Sequence, residues 1–270
     1  MRRLRIWGLL LLAGNAWAAS PQRIVSLNLC TDQILLQLVP HERIAALSLL
    51  SKNPESAALH REAQGLRTVN GNAEEVLALQ PDLVLVGSVT TRHTTRLLRE
   101  FGIAVLALPG AESFSQVRAQ IRTVAQAVGE SARGEAVISA MELRERELAG
   151  VSAARKGTAT PYWSGGRSAG ANTLYSDILH AGGYVSGGAK AGLQGYGALP
   201  LERLVALTPD VLLSNDYKRG VATLGNRLLQ HPALAGLGAK HLTLPSRLTV
   251  CGGPWNLDAS ALLAQGGGAL

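Results

Sequence analysis

Glu74-Glu75-Val76-Leu77-Ala78-Leu79-Gln80-Pro81-Asp82-Leu83-Val84-Leu85 decides the fold, because the chain writes this stretch twice. The second copy, Glu202-Arg203-Leu204-Val205-Ala206-Leu207-Thr208-Pro209-Asp210-Val211-Leu212-Leu213, begins 128 residues later. Each copy predicts a helix, a Pro-Asp turn and a buried strand. A second echo follows each: Leu98 through Gly102 to Leu108-Pro109 resembles Leu234 through Gly238 to Leu244-Pro245. Two copies predict two lobes of similar construction, whereas a longer array would need further repeats.

Outward from the repeats the pattern stays the same. Arg23 to Leu27 predicts a short strand, with Thr31 or Asp32 capping a helix that runs through Leu38. Arg43 to Leu47 predicts a second strand, and Leu83 to Val86, Val105 to Leu108 and Val211 to Leu213 are continuous apolar runs. Such runs suit parallel strands covered on both faces, so the fold class is α/β with mainly parallel sheets. Between the repeats, Ser131 to Arg155 holds no proline, and Val137, Met141, Leu148 and Val151 recur at helical spacing. The expected organisation is a 1–18 signal peptide, a 19–130 N-terminal lobe, a 131–155 connecting helix and a 156–270 C-terminal lobe, with a ligand cleft between the lobes.

The start of the chain predicts export. Arg2, Arg3 and Arg5 precede an apolar run from Ile6 to Ala13, and Ala16-Trp17-Ala18 supplies a small-x-small cleavage site. The run is shorter than the ~20 residues that span a bilayer. A periplasmic mature protein beginning near Ala19 is therefore expected. Those arginines also inflate the formal charge of +7, and removing them leaves +4 with no Lys/Arg run, which argues against nucleic acid. In an oxidising compartment the two cysteines, Cys30 and Cys251, have two readings: a disulfide, or thiols that contact a soft metal or a metal chelate. The six histidines are scattered, with His60 and His93 following element ends in the first lobe, so no bare-metal site is expected.

Aromatic residues are one-sided. Apart from Trp7 and Trp17, both tryptophans (Trp163, Trp255) and all five tyrosines lie after residue 160. Rings with amphipathic edges among glycine-rich loops suit a broad, planar ligand. Trp163, Arg167, Tyr196, Tyr217 and Trp255 follow predicted strands and are candidate cleft residues, whereas Tyr175, on a predicted helix, is expected in the core. Cys30, Thr31, Asp32 and Cys251 join the candidates because both cysteines lie at strand ends, where α/β sheets bind ligands. An enzyme reading competes: Gly166-Arg167-Ser168-Ala169-Gly170 matches a nucleophile elbow, making a secreted serine hydrolase using Ser168 the alternative function. The nearest helix cap, Asn172 or Thr173, leaves too long a loop for that elbow.

The signal segment, the opening Pro21-Gln22-Arg23-Ile24-Val25-Ser26-Leu27-Asn28-Leu29-Cys30-Thr31-Asp32-Gln33, the paired repeats and the long helix between them together resemble the periplasmic substrate-binding proteins of ABC importers for cobalamin, haem and ferric siderophores. The likeness covers essentially the whole mature chain. It implies two similar α/β lobes joined by one long rigid helix, which open and close only slightly. It implies a non-enzymatic monomer with no cofactor of its own, whose ligand is a small-molecule metal chelate, a corrinoid or ferric siderophore ahead of haem. Its partner would be an ABC importer permease, the only contact with the membrane. In the family a glutamate on each lobe pairs with permease arginines, and Glu74 and Glu202 resemble these. The stretch Asn28-Leu29-Cys30-Thr31-Asp32 departs from the family's usual opening, where a Pro and a Thr-Glu follow the first strand.

Overall fold

The computed structural model describes residues 20–89, 92–151, 157–216 and 224–266. The expected signal peptide, residues 152–155 of the expected linker and the candidate Tyr217 lie outside them. In chain order the strands are β1 (Ile24–Ser26), β2 (Ile44–Ser48), β3 (Thr68–Val69), β4 (Leu83–Gly87), β5 (Val105–Leu108), β6 (Thr158–Pro161), β7 (Arg167–Ala169), β8 (Val185–Ser186), β9 (Tyr196–Ala198), β10 (Val211–Asn215) and β11 (Lys240–Leu244). The helices are α1 (Leu29–Leu38), α2 (Ala73–Leu77), α3 (Arg92–Glu100), α4 (Phe114–Ala127), α5 (Ser131–Val151), α6 (Leu174–Ala181), α7 (Gly187–Lys190), α8 (Leu201–Leu207), α9 (Leu224–Leu228), α10 (Pro232–Ala235) and α11 (Trp255–Ala264).

Two parallel sheets result. The first is ordered β3-β2-β1-β4-β5 and the second β11-β10-β6-β8, with β7 and β9 forming a small antiparallel pair beside the second. Leu83 to Val86 is buried throughout, as a strand covered on both faces must be.

The repeats share specific local features. In each, the residue before proline adopts a left-handed backbone, φ 48° at Gln80 and φ 43° at Thr208, which closes the helix. In each, the aspartate of the Pro-Asp turn ties down the chain entering the central strand. Asp82 accepts from the backbone N–H of Arg23 at 3.0 Å, just before β1, and Asp210 accepts from that of Thr158 at 2.6 Å, at the start of β6. The second echo holds as well: Gly102 and Gly238 take φ 77° and φ 67° ahead of β5 and β11, the outer neighbours of the repeat strands. That conformation is open to glycine at no steric cost.

α5, 21 residues long, stands between the two sheets in sequence and packs on α4 from the first half and α11 from the second. Ile138, Met141 and Leu148 anchor it in one hydrophobic core that reaches from Ile24 and Leu47 to Leu179 and Leu263. A second contact joins the halves nearby, where Asp177 of α6 accepts the Phe114 N–H at the N-terminus of α4 at 2.9 Å. A carboxylate there also meets the positive end of the helix dipole.

Two local expectations are corrected and a third holds. Asn28, not Thr31 or Asp32, caps α1, its side chain accepting from the Cys30 N–H at 3.0 Å. Residues 248–250 are not a strand: Ser246–Leu248 makes a single 3-10 turn that begins a compact loop. Thr173 does cap α6, so Ser168 belongs to β7 rather than to a strand-to-helix elbow.

Candidate functional site

The strands of the first sheet end, in space, at Ser48, Ser26 and Gly87 of neighbouring strands. Just beyond them stand unusually exposed apolar side chains: Leu49 and Leu50 after β2, and Val89, 72% exposed, after β4. Val250 joins this edge, because its neighbour Cys251 is disulfide-bonded to Cys30 in the first turn of α1, the helix that follows β1. A sequence reading passes over such residues, since an apolar residue near a strand end reads as core. Their exposure is the signal, and only the folded chain reveals it.

The second lobe contributes rings. Trp163, following β6, packs edge-on against Tyr175 of α6 with centroids 5.1 Å apart and stacks on Tyr196 of β9 at 6.3 Å and 29°. Trp163 is positioned by its own backbone, whose N–H donates to the Arg167 carbonyl at 2.8 Å. Tyr196 is 47% exposed, Arg167 is exposed and Tyr175 lies buried beneath them. Burial, and then the Glu112 carboxylate from the first half of the chain, push the Tyr196 phenol up. The structure thus brings together Trp163, Arg167 and Tyr196 of the candidates, and adds Tyr175 as their support.

Other candidates fall elsewhere. Thr31 is buried with its hydroxyl 2.7 Å from that of Ser26, and it also donates to the Asn28 carbonyl. Asp32 is buried too, accepting from the Ser48 N–H at 3.3 Å and from the Ser48 hydroxyl. Cys251 is 1% exposed and its sulfur is held by Cys30, so neither cysteine offers a thiol. Trp255, 5% exposed, is a core residue whose indole N–H donates to the Cys251 carbonyl at 2.8 Å. Cys251 and Trp255 share one physical reason. The 249–254 loop returns to the first lobe so closely that a Cβ on Gly252 would meet Val117 at 2.5 Å, and Cys251 and Trp255 are buried with it.

The elbow serine is likewise internal. Ser168 is wholly buried and its hydroxyl donates to the Pro161 carbonyl at 2.6 Å. His60 is turned to the Ala57 carbonyl, while His93 is exposed on α3. Among the described residues no group of three His, Cys, Asp or Glu side chains could hold a metal ion.

Burial pushes the Asp32 carboxyl from its ordinary 3.8 up to about 7, against the opposing contacts of Ser26 and Ser48. A raised acid pKa favours folding while the group is protonated. Its stabilising contribution is complete below about pH 4 and is lost as the pH rises to about 7. Stability of the parent relative to Asp32→Asn should therefore fall across that window by an amount on the order of 4 kcal/mol and level off above it. Urea unfolding from pH 4 to pH 8 reads this, and a flat difference would contradict it.

A protein-family model described as periplasmic binding protein matches residues 24–240. The chain belongs to the periplasmic binding protein family. Solved structures agree over nearly the whole molecule. The periplasmic heme-binding protein RhuT from Roseiflexus sp. RS-1 is 25% identical with a TM-score of 0.75, covering 90% of this chain and 97% of that one. A possible iron-binding (periplasmic solute-binding) protein from Staphylococcus epidermidis ATCC 12228 is 17% identical with a TM-score of 0.76, covering 92% and 98%, a likeness of fold. The uncharacterized ABC transporter substrate-binding lipoprotein YvrC of Bacillus subtilis (strain 168) is 26% identical over 125 residues, which is 45% of this chain. That match spans 39% of YvrC. The family serves solute binding in transport and is generally non-enzymatic, in keeping with the buried Ser168. Among the described residues no helix is long and apolar enough to cross a membrane.

Proposed function

We propose that this periplasmic binding protein captures a metal chelate and delivers it to an ABC importer. The observation that carries this reading is the Trp163–Tyr196 ring pair, half open to solvent beside an exposed arginine. A ring pair of this kind gives a planar or broadly apolar ligand area and stacking, and the guanidinium serves polar groups at its rim. Leu49, Leu50, Val89 and Val250 supply an apolar edge on the first lobe that would face the same ligand. Corrinoids, ferric siderophores and haem all fit this chemistry, and haem gains support from RhuT, a heme-binding protein by name. The chelate is cargo rather than cofactor, and the protein would work as an exported monomer.

Delivery needs a docking surface. Glu74 and Glu202 are exposed and occupy the same first-turn position of α2 and α8 in the two repeats. Matching carboxylates on the two lobes suit two basic sites on a permease. Glu74→Ala with Glu202→Ala should abolish most uptake of radiolabelled chelate by cells while the purified variant keeps its affinity. Unchanged uptake would remove the docking assignment.

A further inference from the structure

The first lobe carries a cavity of about 570 Å3 beside the C-terminal end of β4, formed by first-lobe residues alone. Its floor is apolar, with Val86 and Ala107 of the sheet. Its wall is α3, which presents Arg92, Thr95, Arg96 and Arg99 at i, i+3, i+4 and i+7. The face that α3 buries is Thr94, Thr95 and Leu98, so the arginines stand on its open flank. They place three guanidinium groups on one face, an arrangement in which like charges oppose one another.

Neutralisation is incomplete. One carboxylate, Glu100, also lines the cavity and Arg96 reaches it at 3.7 Å, while Arg92 and Arg99 make no ion pair among the described residues. A second observation points the same way. Thr95 is 8% exposed and lines the cavity, yet its hydroxyl has no hydrogen-bond partner among the described residues. The adjacent Thr94, also buried, is satisfied by the Gly71 carbonyl at 2.8 Å. A buried hydroxyl left unmade is costly, and although this one has no accessible surface as it stands, a turn about χ1 that brought it to an acceptor in the cavity would recover that loss.

We infer that this cavity is an anion site that takes carboxylate or phosphate oxygens, held by Arg92, Arg96 and Arg99 with Thr95 donating from beneath. Guanidinium groups match such oxygens in planar, paired hydrogen bonds, and a concave basic surface concentrates anions. The site stands independently of the chelate reading. Its anion could be free in solution or an acidic arm of the captured chelate.

The test is calorimetric titration of the full exported chain with pyrophosphate and with citrate, at ionic strength fixed by sodium chloride. Saturable binding is expected. Because a hydrogen bond to a charged group is worth about tenfold or more, Arg92→Gln with Arg96→Gln should weaken binding at least that much. Thr95→Val should weaken it severalfold without lowering the melting temperature, since it removes an unsatisfied group. The arginines are exposed, so the double variant should fold. No saturable binding by either anion, or equal affinity in the double variant, would overturn the site. The source is read by titrating a carboxylate-bearing chelate, haem, and its dimethyl ester. Selective loss of haem in the double variant assigns the acidic arm, and loss of pyrophosphate alone assigns a free anion. A protein that binds pyrophosphate but no chelate would refute the proposed cargo and leave this site standing.

Discussion

Removing the Cys30–Cys251 bridge is expected to destabilise the protein by about 2–5 kcal/mol, the range for native disulfides. The two cysteines are 221 residues apart, so the bridge closes nearly the whole described chain into one loop. Loop-closure entropy for that length is about 5 kcal/mol at 25 °C, the upper end of what Cys30→Ser with Cys251→Ser should lose. The bridge also pins the loop between β11 and α11 to the start of α1, a link between the lobes additional to α5. Both effects act on the same transition. Calorimetric scans of the exported protein and of the double serine variant should differ by roughly 10 °C. Coincident scans would mean that packing of the 249–254 loop alone holds the lobes.

Trp255→Ala is expected to cost about 3–5 kcal/mol, the usual loss for truncating a buried aromatic side chain. The indole is packed so tightly that a Cβ on Gly253 would lie 2.2 Å from its ring, and its N–H is spent on the Cys251 carbonyl. Asn256 also donates to that carbonyl, at 2.9 Å, so the acceptor is not orphaned and the loss is mainly one of packing. The urea midpoint should fall while the folded fraction binds chelate as before. Trp163→Ala should do the reverse, because Trp163 is only partly buried and its contacts are rings of the candidate site. Equal midpoints for parent and Trp255→Ala would show that Trp255 is not a core residue.

These two tryptophans mark where sequence reading ends. The lobes were legible because each repeat carries its own instructions: a helix stopped at Gln80 or Thr208, a Pro-Asp turn, and an aspartate that reaches the central strand. Local chemistry suffices for that. Trp163 and Trp255 are both expected after strands and look alike in sequence, yet one lies at the open ring cluster and the other under a loop that has crossed to the other lobe. The same return buries Cys251, for which the sequence left a disulfide with Cys30 and a ligand-contacting thiol both open. Thr31 and Asp32 were misplaced for a smaller reason: Asn28 begins α1 three residues earlier than expected and turns them toward Ser26 and Ser48. Leu49, Leu50, Val89 and Val250 were invisible because nothing local distinguishes an exposed apolar residue from a buried one.

The most direct test of chelate capture is a tryptophan fluorescence titration of the exported protein with cobalamin, haem and a ferric siderophore. Trp163 and Trp255 are the tryptophans that follow the expected cleavage site, so the emission comes from one ring in the cluster and one in the core. At least one chelate should quench the emission saturably. A stacked ring is worth on the order of 0.5–1.5 kcal/mol beyond its buried area, so Trp163→Ala should bind that chelate about tenfold more weakly. No saturable quenching by any of the three, or an undiminished affinity in Trp163→Ala for a chelate that does bind, would contradict the account.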